Sequence, residues 1–296
     1  MDAWPAIAAQ ISSVTCSKFT IEAITPISGG CINQTFCIAY GSQRYFIKLN
    51  TAECLHIFEA EAAGLKEIHL SKTLRVPTPI CWGQDGDTAW LVLEHLNLKN
   101  TFRNSTANTA DFGVKLAAMH RTYANRFGWE RDNTIGNTPQ INTQSSDWIY
   151  FWRTHRLGYQ LDLAKANGFT GKLQNLGEQL LINLNHFLYS SPQPSLLHGD
   201  LWNGNFSFDN KGNPVLFDPA IYYGDREADI AMTELFGGFP TNFYSAYRHE
   251  YPLDSGYNIR KVVYNLYHVL NHLNLFGGGY LYQAEQMINK LLTEIR

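Results

Sequence analysis

The sequence has no excess of basic residues. It carries 23 Lys and Arg against 26 Asp and Glu, which gives a net charge of -3. Such a chain has no positive field that would hold a polyanion, so nucleic acid and acidic membrane surfaces are poor candidates for partners. Small molecules fit this charge better.

Targeting and membrane-spanning signals are also missing. The first ten residues, "MDAWPAIAAQ", contain an acid and a proline and lack the basic and apolar regions of a signal peptide. No stretch elsewhere has the length and apolar character of a transmembrane helix. We therefore expect a cytoplasmic protein with no membrane partner.

The five cysteines lack the spacing of a zinc site or a disulfide framework. They are odd in number, all fall in the first third of the chain, and show no C-x-x-C pair; they are Cys16, Cys31, Cys37, Cys54 and Cys81. Reduced thiols are expected.

The pattern of apolar residues predicts two regions of different character. With 45% hydrophobic content, 296 residues can bury a large core in one domain or two lobes. Strand patterns and one helix, predicted over residues 53–70, dominate up to residue 94, and long helical patterns dominate after residue 98. The sequence predicts an α+β protein with a small β-rich lobe (1–94), a connector (95–98) and a helical lobe (99–296). The polar stretch over residues 131–146 is long enough to be a functional loop.

One segment, "LLHGDLWNGNFSFDNKGNPVLFDPA", places polar residues among apolar ones. The runs "NFSFD" and "PVLFDP" around the turn "NKGN" predict a β-hairpin, with Asp200 before it and Asp218 at its far end. An aspartate, an asparagine five residues later (Asn205) and a second aspartate after a hairpin match the needs of phosphoryl transfer, namely a base and two oxygen ligands for Mg²⁺. The alternative is that all three are ordinary turn residues.

The upstream region contains the other parts that such chemistry requires. Gly29 and Gly30 in "ISGGCIN" would let backbone N–H groups approach phosphates, although an ordinary hairpin turn would look the same. Lys48 lies in the middle of the strand "YFIKLN", where an edge-strand lysine is the alternative. Glu61 falls on the apolar stripe of the predicted helix, and a carboxylate facing the core needs a partner. The nearest cation in this topology is Lys48, so we predict an ion pair between them.

A connector follows the last strand of the first region in "LVLEHLNLK". Its backbone groups could bind the edge of an adenine ring, and the alternative is a strand end followed by a loop. The residues concerned are Glu94, His95, Leu96 and Asn97. Together with the two glycines, Lys48 and Glu61, they predict ATP as a cofactor, and the oxygen ligands Asn205 and Asp218 predict Mg²⁺.

Several longer motifs resemble those of the fructosamine kinase (ketosamine 3-kinase) family, whose relatives are the aminoglycoside phosphotransferases and whose fold is protein-kinase-like and bilobal. The resemblance runs from about Ile27 to the C-terminus. It depends on "HGDLWNGN", "FDPAIYYGDREADIAMTELFGGF", "FGW" with "NTIGNTPQINT", "RLGYQLDLA" and "LYHVLNHLNLFGG". Protein kinases proper would have H-R-D, D-F-G and a long activation segment. Here only six residues separate Asp218 from Asp225, which argues for a small-molecule acceptor.

The resemblance implies a role for each candidate residue. Asp200 would be the catalytic base, and Asn205 with Asp218 would hold Mg²⁺. Lys48, paired with Glu61, would orient the nucleotide phosphates.

It further implies that Trp202 and the loop from Asn133 to Thr143 shape the pocket for the sugar and its amine. Asp229 would anchor the catalytic loop. The family phosphorylates the 3-hydroxyl of fructosamines or ribulosamines on lysine side chains or free amines, and the unstable 3-phosphate then eliminates, which repairs glycated protein.

The sequence leaves two other classes of function as alternatives. An aminoglycoside, choline or homoserine kinase would share the catalytic loop but would not be expected to carry the longer motifs. A catalytically silent kinase-like module would be expected to have lost one of the acids, and all are present. The sequence does not separate ribulosamine from fructosamine.

Cys31 follows the two glycines of the predicted phosphate loop, so its thiol is expected to be exposed. One interpretation of Cys31 is a small residue tolerated in a turn of a monomeric protein. The other is a redox switch, which predicts a Cys31-linked homodimer under oxidant, with lower activity because the linked loops are held away from the phosphates. Thiol reductant should restore both monomer and activity, and ATP with Mg²⁺ should protect. Non-reducing gels and activity assays check this. A Cys31→Ala protein that still dimerises and loses activity under oxidant would contradict it.

Overall fold

The computed structural model describes residues 3–28, 32–99, 106–188 and 192–295. The chain divides into two compact units, Met1–Asn104 with Phe206–Pro219, and Ser105–Asn205 with Ala220–Arg296. Gly29, Gly30 and Cys31, which carry the predicted phosphate loop and redox thiol, lie outside the described residues. The four cysteines within them are free thiols.

A five-stranded antiparallel sheet forms the centre of the first unit, with strand order β1-β2-β3-β5-β4. The runs "FTIEAIT", "TFCIAY", "RYFIKLN" and "TAWLVLEHL" predict four of these strands, which are present, and β4 was not predicted. Helix α2 begins two residues later than predicted because a short 3-10 turn, Ala52–Cys54, precedes it. The elements are β1 (Ala23–Pro26), β2 (Gln34–Tyr40), β3 (Gln43–Thr51), α2 (Leu55–Leu70), β4 (Pro79–Asp85) and β5 (Thr88–Glu94).

An N-terminal helix, α1 (Trp4–Thr15), covers this sheet and was not predicted. Its buried Ile7 and Ile11 pack in one cluster with strand residues that include Ile38, Ile47 and Val92. Gln10 adds polar contacts by accepting a hydrogen bond from the indole of Trp90 and donating one to the carbonyl of Trp82. The helix therefore closes one face of the sheet.

The predicted hairpin is confirmed as β10 (Phe206–Asp209) and β11 (Pro214–Leu216), which pair antiparallel. The predicted lobe boundaries group this hairpin with the helices. In the structure it belongs to the first unit, because β10 pairs with β6 (Leu98–Lys99) and the Leu216 N–H donates to the Arg75 carbonyl. Long-range pairing, which has no local signature, decides this grouping.

The second unit is mainly helical, as the sequence predicts. Its helices are α3 (Thr106–Met119), α4 (Trp148–Trp152), α5 (Tyr159–Ala166), α6 (Lys172–Ile182), α7 (Glu227–Leu235), α8 (Thr241–Glu250), α9 (Tyr257–Phe276) and α10 (Tyr280–Thr293). Its short strands are β7 (Asn133–Ile135), β8 (Thr138–Gln140), β9 (Ser195–Leu197) and β12 (Tyr222–Gly224), paired as β7-β8 and β9-β12. Helix α8 was not predicted, and a π-helical turn, Arg153–Gly158, joins α4 to α5. In the part of the chain that the structure describes, we find no helix apolar and long enough to cross a bilayer.

Close packing of α3 on α8 depends on Gly113. A Cβ atom at this position would lie 2.4 Å from the carbonyl oxygen of Phe243, which is backbone and cannot rotate away. We expect Gly113→Ala to lower the free energy of unfolding by about 1–3 kcal/mol, the usual cost of overpacking. Urea denaturation measures this, with Gly279→Ala as the control because a Cβ atom there would meet nothing within 4 Å. Equal stability of the two variants would contradict the prediction.

Candidate active site

The first group of candidate residues surrounds Lys48 in the first unit. Lys48 lies on β3, a central strand between β2 and β5, and not on a sheet edge. Its Nζ lies 2.7 Å from Glu61 Oε1 and 2.8 Å from Glu61 Oε2, so the predicted ion pair is present. The same Nζ lies 2.7 Å from Asp218 Oδ1, a contact that the sequence did not predict.

Charge compensation keeps this buried lysine protonated. Burial by itself lowers the pKa of Lys48, but the carboxylates of Asp218 and Glu61 outweigh it and raise that pKa above its ordinary value. The side chains of Lys48 and Glu61 are 5% and 10% exposed, whereas that of Asp218 is 48% exposed. Asp218 is therefore the member of the group that is open to solvent or a ligand.

The backbone of Asp218 has an uncommon conformation. Its φ of 55° lies in the left-handed region, which non-glycine residues rarely adopt. Strained backbone conformations of this kind cluster at functional sites, where contacts with the surrounding structure maintain them. The ion pair with Lys48 is one contact that holds this side chain in place.

Of the other residues predicted to bind the nucleotide, the structure describes the connector but not Gly29 and Gly30. On the two sides of Gly29 and Gly30 in the sequence, the Ile27 N–H donates to the Thr35 carbonyl and the Thr35 hydroxyl donates to the Ile27 carbonyl. In the connector, the Glu94 N–H donates to the Thr78 carbonyl and the Glu94 carboxylate accepts from Arg75, so this N–H is not available to a nucleotide. Nucleotide binding by His95, Leu96 and Asn97 stays a prediction.

The second group lies in the second unit, on the loop after β9. Asp229 of α7 is buried and accepts two backbone hydrogen bonds, from His198 N–H at 2.7 Å and from Gly199 N–H at 2.9 Å. His120 Nε2 lies 3.2 Å from Asp229 Oδ2, and His120 Nδ1 lies 2.8 Å from the Tyr247 hydroxyl. Asp229 thus holds the loop in the way expected of an anchor.

These contacts also set the charge of the anchor. Burial alone would raise the pKa of Asp229, but the hydrogen bonds from His120 and the backbone hold it below its usual range. Burial lowers the pKa of His120, so its neutral imidazole can accept from Tyr247 while it donates to Asp229. The sequence did not single out His120, and the structure gives it this supporting contact with Asp229.

Gly199 and Asn205 fix the position of Asp200. A Cβ atom on Gly199 would lie 2.0 Å from the Ala220 carbonyl oxygen, and its φ is 81°, so the position requires glycine. Asn205 is buried, and its Nδ2 donates to the Asp200 carbonyl at 2.9 Å and to Asp200 Oδ2 at 3.0 Å. Because its amide nitrogen faces Asp200, Oδ1 is the Asn205 atom that could bind a cation.

Trp202 is partly exposed next to this loop. Its indole is packed over Gly204, where a Cβ atom would lie 2.3 Å from the ring, and it meets the Phe236 ring edge-on at 6.3 Å between centroids. Trp202 is 37% exposed, and its contact with a substrate stays a prediction.

The residues described contain no cluster of three or more His, Cys, Asp or Glu side chains suited to a metal ion. Mg²⁺ does not need such a cluster, because it is usually held by one or two protein oxygens together with substrate phosphates and water. Asn205 and Asp218 provide oxygens of this kind. Asn205 belongs to the second unit and Asp218 to the first.

Comparison with known proteins shows the family to which the chain belongs. The family model described as fructosamine kinase matches residues 3–294. The "Probable ketoamine kinase" of Synechocystis is 46% identical, over 98% of this chain and 97% of its own length. The chloroplastic protein-ribulosamine 3-kinase of Arabidopsis thaliana is 40% identical, over 93% of this chain and 84% of its own length.

Solved structures that are similar to this chain identify its fold. The crystal structure of a protein from Haemophilus somnus, described as a "putative fructosamine-3-kinase", is 30% identical with a TM-score of 0.90 and covers 98% of this chain and 97% of its own. An aminoglycoside phosphotransferase solved with ADP and hygromycin B shares the fold alone, at 12% identity and a TM-score of 0.67, over 97% of this chain and 98% of its own. The chain has a kinase-like fold, and it is an enzyme that belongs to the fructosamine kinase family.

Proposed function

We propose that the protein transfers the γ-phosphoryl group of ATP to the 3-hydroxyl of a ribulosamine or fructosamine, carried on a lysine side chain or a free amine. The observation that carries this proposal is the buried Lys48 ammonium held by Glu61 and Asp218, each at 2.7 Å. In phosphotransferases, a lysine oriented in this way binds the nucleotide phosphates. Its occurrence in a chain 46% identical to a ketoamine kinase supports both the reaction and the substrate class.

Asp200 acts as the base in this proposal. Its carboxylate accepts the proton of the sugar hydroxyl while the hydroxyl oxygen forms a bond to the γ-phosphorus. The bond between that phosphorus and the oxygen bridging to the β-phosphate breaks, and ADP leaves. The hydrogen bond from Asn205 at 3.0 Å orients the carboxylate for this step.

Asn205 and Asp218 would hold Mg²⁺ through Oδ1 of the amide and the carboxylate oxygen not bonded to Lys48. The ion, when bound, neutralises the charge of the nucleotide phosphates. Lys48 contributes a further positive charge to them. The glycine turn at Gly29 and Gly30 would add backbone N–H groups.

The acceptor binds beside Trp202 and the loop from Asn133 to Thr143. A ketosamine carries a secondary amine that is protonated at neutral pH, and an indole face attracts such a cation. The name of the Arabidopsis relative supports ribulosamine as one acceptor. The 3-phosphate formed is unstable and eliminates, which would release the unmodified amine and repair glycated protein.

An acceptor panel tests this function. ATP consumption with and without Mg²⁺ is measured with ribulose-lysine, fructose-lysine and an aminoglycoside. We expect Mg²⁺-dependent turnover with at least one ketosamine and none with the aminoglycoside. Turnover with the aminoglycoside alone, or with no acceptor in the panel, would reject the proposal.

Removal of the base should separate chemistry from binding. We expect Asp200→Asn to lower turnover by roughly two to four orders of magnitude, because a positioned proton acceptor contributes about that much. ATP affinity should stay nearly unchanged, since the Lys48 group is intact. Steady-state kinetics and calorimetric ATP titration measure the two effects, with the exposed Asp162→Asn as a control for charge. Near-normal turnover in Asp200→Asn would end the assignment.

The two other aspartates should differ from each other. Asp218→Ala should abolish the Mg²⁺-dependent part of ATP affinity, because it removes an oxygen ligand. Asp229→Ala should instead lower the unfolding temperature, because it leaves the buried N–H groups of His198 and Gly199 without an acceptor. Calorimetry with and without Mg²⁺ and thermal unfolding distinguish them. The reverse pattern would show that Asp229 is the Mg²⁺ ligand and that Asp218 is the structural anchor.

A further inference from the structure

Arg156 is a buried cation with no role in the mechanism above. It is 0% exposed, and among the described residues it forms no ion pair with a carboxylate. Its guanidinium donates instead to the Ile141 carbonyl at 2.6 Å, to the His155 carbonyl at 3.0 Å and to Asn142 Oδ1 at 2.7 Å. Burying a charge is costly unless it is compensated, so this arrangement needs an explanation.

Aromatic rings supply part of the compensation. The guanidinium carbon lies 4.1 Å from the centroid of the Tyr222 ring, 4.6 Å from that of Phe151 and 5.7 Å from that of Tyr267. Ring faces attract cations, and arginine stacks on them better than lysine because its charge is planar. The site is therefore shaped for a guanidinium in particular.

The π-helical turn that carries Arg156 is equally specific. A Cβ atom on Gly158 would lie 2.5 Å from the Arg153 carbonyl oxygen, so the turn requires glycine at that position. Single π-turns inside α-helices occur frequently at functional sites. The motif "RLGYQLDLA" thus supplies both the arginine and the glycine that the turn requires.

Hydrogen bonds continue from Arg156 into the loop that we assign to the acceptor. Asn142 Nδ2 donates to Asn133 Oδ1 at 2.9 Å, and Gln140 Nε2 donates to the same oxygen at 2.8 Å. The Tyr267 hydroxyl, whose ring also contacts the guanidinium, donates to Gln140 Oε1 at 2.8 Å. Arg156 and Tyr267 therefore hold this loop from two sides.

The same network reaches the catalytic loop. Gln140 Nε2 donates to the Ala220 carbonyl at 3.0 Å, and Asn133 Nδ2 donates to the Ile221 carbonyl at 2.8 Å. The Ala220 N–H donates in turn to the His198 carbonyl at 2.9 Å, two residues before Asp200. A continuous series of hydrogen bonds in the second unit thus connects Arg156 to the backbone that carries the base.

We propose that Arg156 is a positioning residue for the phosphoryl acceptor, acting through Asn142, Asn133 and Gln140 to set the acceptor loop relative to Asp200. This inference rests on the proposed function, which assigns the loop to the acceptor and the base role to Asp200. It does not require Arg156 to touch the substrate.

Arg156→Lys tests the proposal because lysine keeps the positive charge but lacks the planar guanidinium, whose two terminal nitrogens donate to Ile141 and to Asn142. We expect kcat/KM for the ketosamine to fall by about tenfold to hundredfold, the range for small misplacement of a reactant. The KM for ATP should stay within about twofold of wild type, because the residues that bind it lie elsewhere. A purely structural role would lower the unfolding temperature and leave both KM values unchanged.

Two further variants complete the experiment. Arg153→Lys is the matched control, since Arg153 lies on the same π-turn but donates to the Leu181 carbonyl, away from the acceptor loop. Tyr267→Phe removes only the hydroxyl on Gln140 and keeps the ring, so it tests the network even if Arg156→Lys fails to fold. We expect it to lower kcat/KM for the ketosamine by ~5-fold, about the net effect of one hydrogen bond.

Amide hydrogen exchange supplies a readout that needs no substrate. Both Arg156→Lys and Tyr267→Phe should speed exchange in peptides covering residues 133–142 and 198–200, and Arg153→Lys should not. Unchanged acceptor kinetics and unchanged exchange would overturn the inference, as would an equal rise in the KM for ATP. If wild-type protein phosphorylated no ketosamine, the proposed function would fail, and exchange would still decide whether Arg156 positions these segments.

Discussion

The geometry of the catalytic loop depends on one buried carboxylate. Asp229 accepts the N–H groups of His198 and Gly199, and so fixes the two residues before Asp200. Because His198 and Gly199 are buried, their N–H groups would lack an acceptor without this carboxylate, which therefore stabilises the conformation of the loop. His120 favours the ionised form. A buried carboxylate on α7 thereby fixes the backbone that carries Asp200.

The first unit also depends on a buried charge that is compensated by its hydrogen-bond partners, but here the buried charge is positive. Lys48 is a cation in the middle of a sheet, and Glu61 and Asp218 compensate it at hydrogen-bond distance. Since only Asp218 of these three is substantially exposed, the pair with Glu61 is a fixed support and Asp218 is the group that can respond to a ligand. The kinase chemistry of the family requires a lysine held in this way.

Arg156 differs from both, because rings and carbonyl oxygens take the place of a carboxylate. A carboxylate partner would bind only the guanidinium. The carbonyl oxygen of Ile141 and the amide oxygen of Asn142 belong to the acceptor loop, so their hydrogen bonds to Arg156 also fix the position of that loop. The buried charge is consequently coupled to the backbone at Ala220 and Ile221 through side-chain amides. Lys48 in the first unit and Asp229 and Arg156 in the second are thus three buried charges, and each orders its own surroundings through a different type of partner.

Local patterns in the sequence were sufficient for four of the five strands of the sheet, but not for β4, and they were sufficient for the hairpin after Asn205 and for the inward orientation of Glu61. Each of these depends on residues a few positions apart. Motifs that resemble the family located Asp200, Asn205 and Asp218. The sequence alone did not predict helix α1, helix α8 or the π-turn at Arg156, nor that the hairpin pairs with β6. Those features are decided by contacts between residues far apart in the chain, such as Ile7 with Val92 in the sheet core or Gln140 with Ala220. Tertiary structure alone could reveal them, because the free energy that selects them comes from burial and hydrogen bonding across the fold.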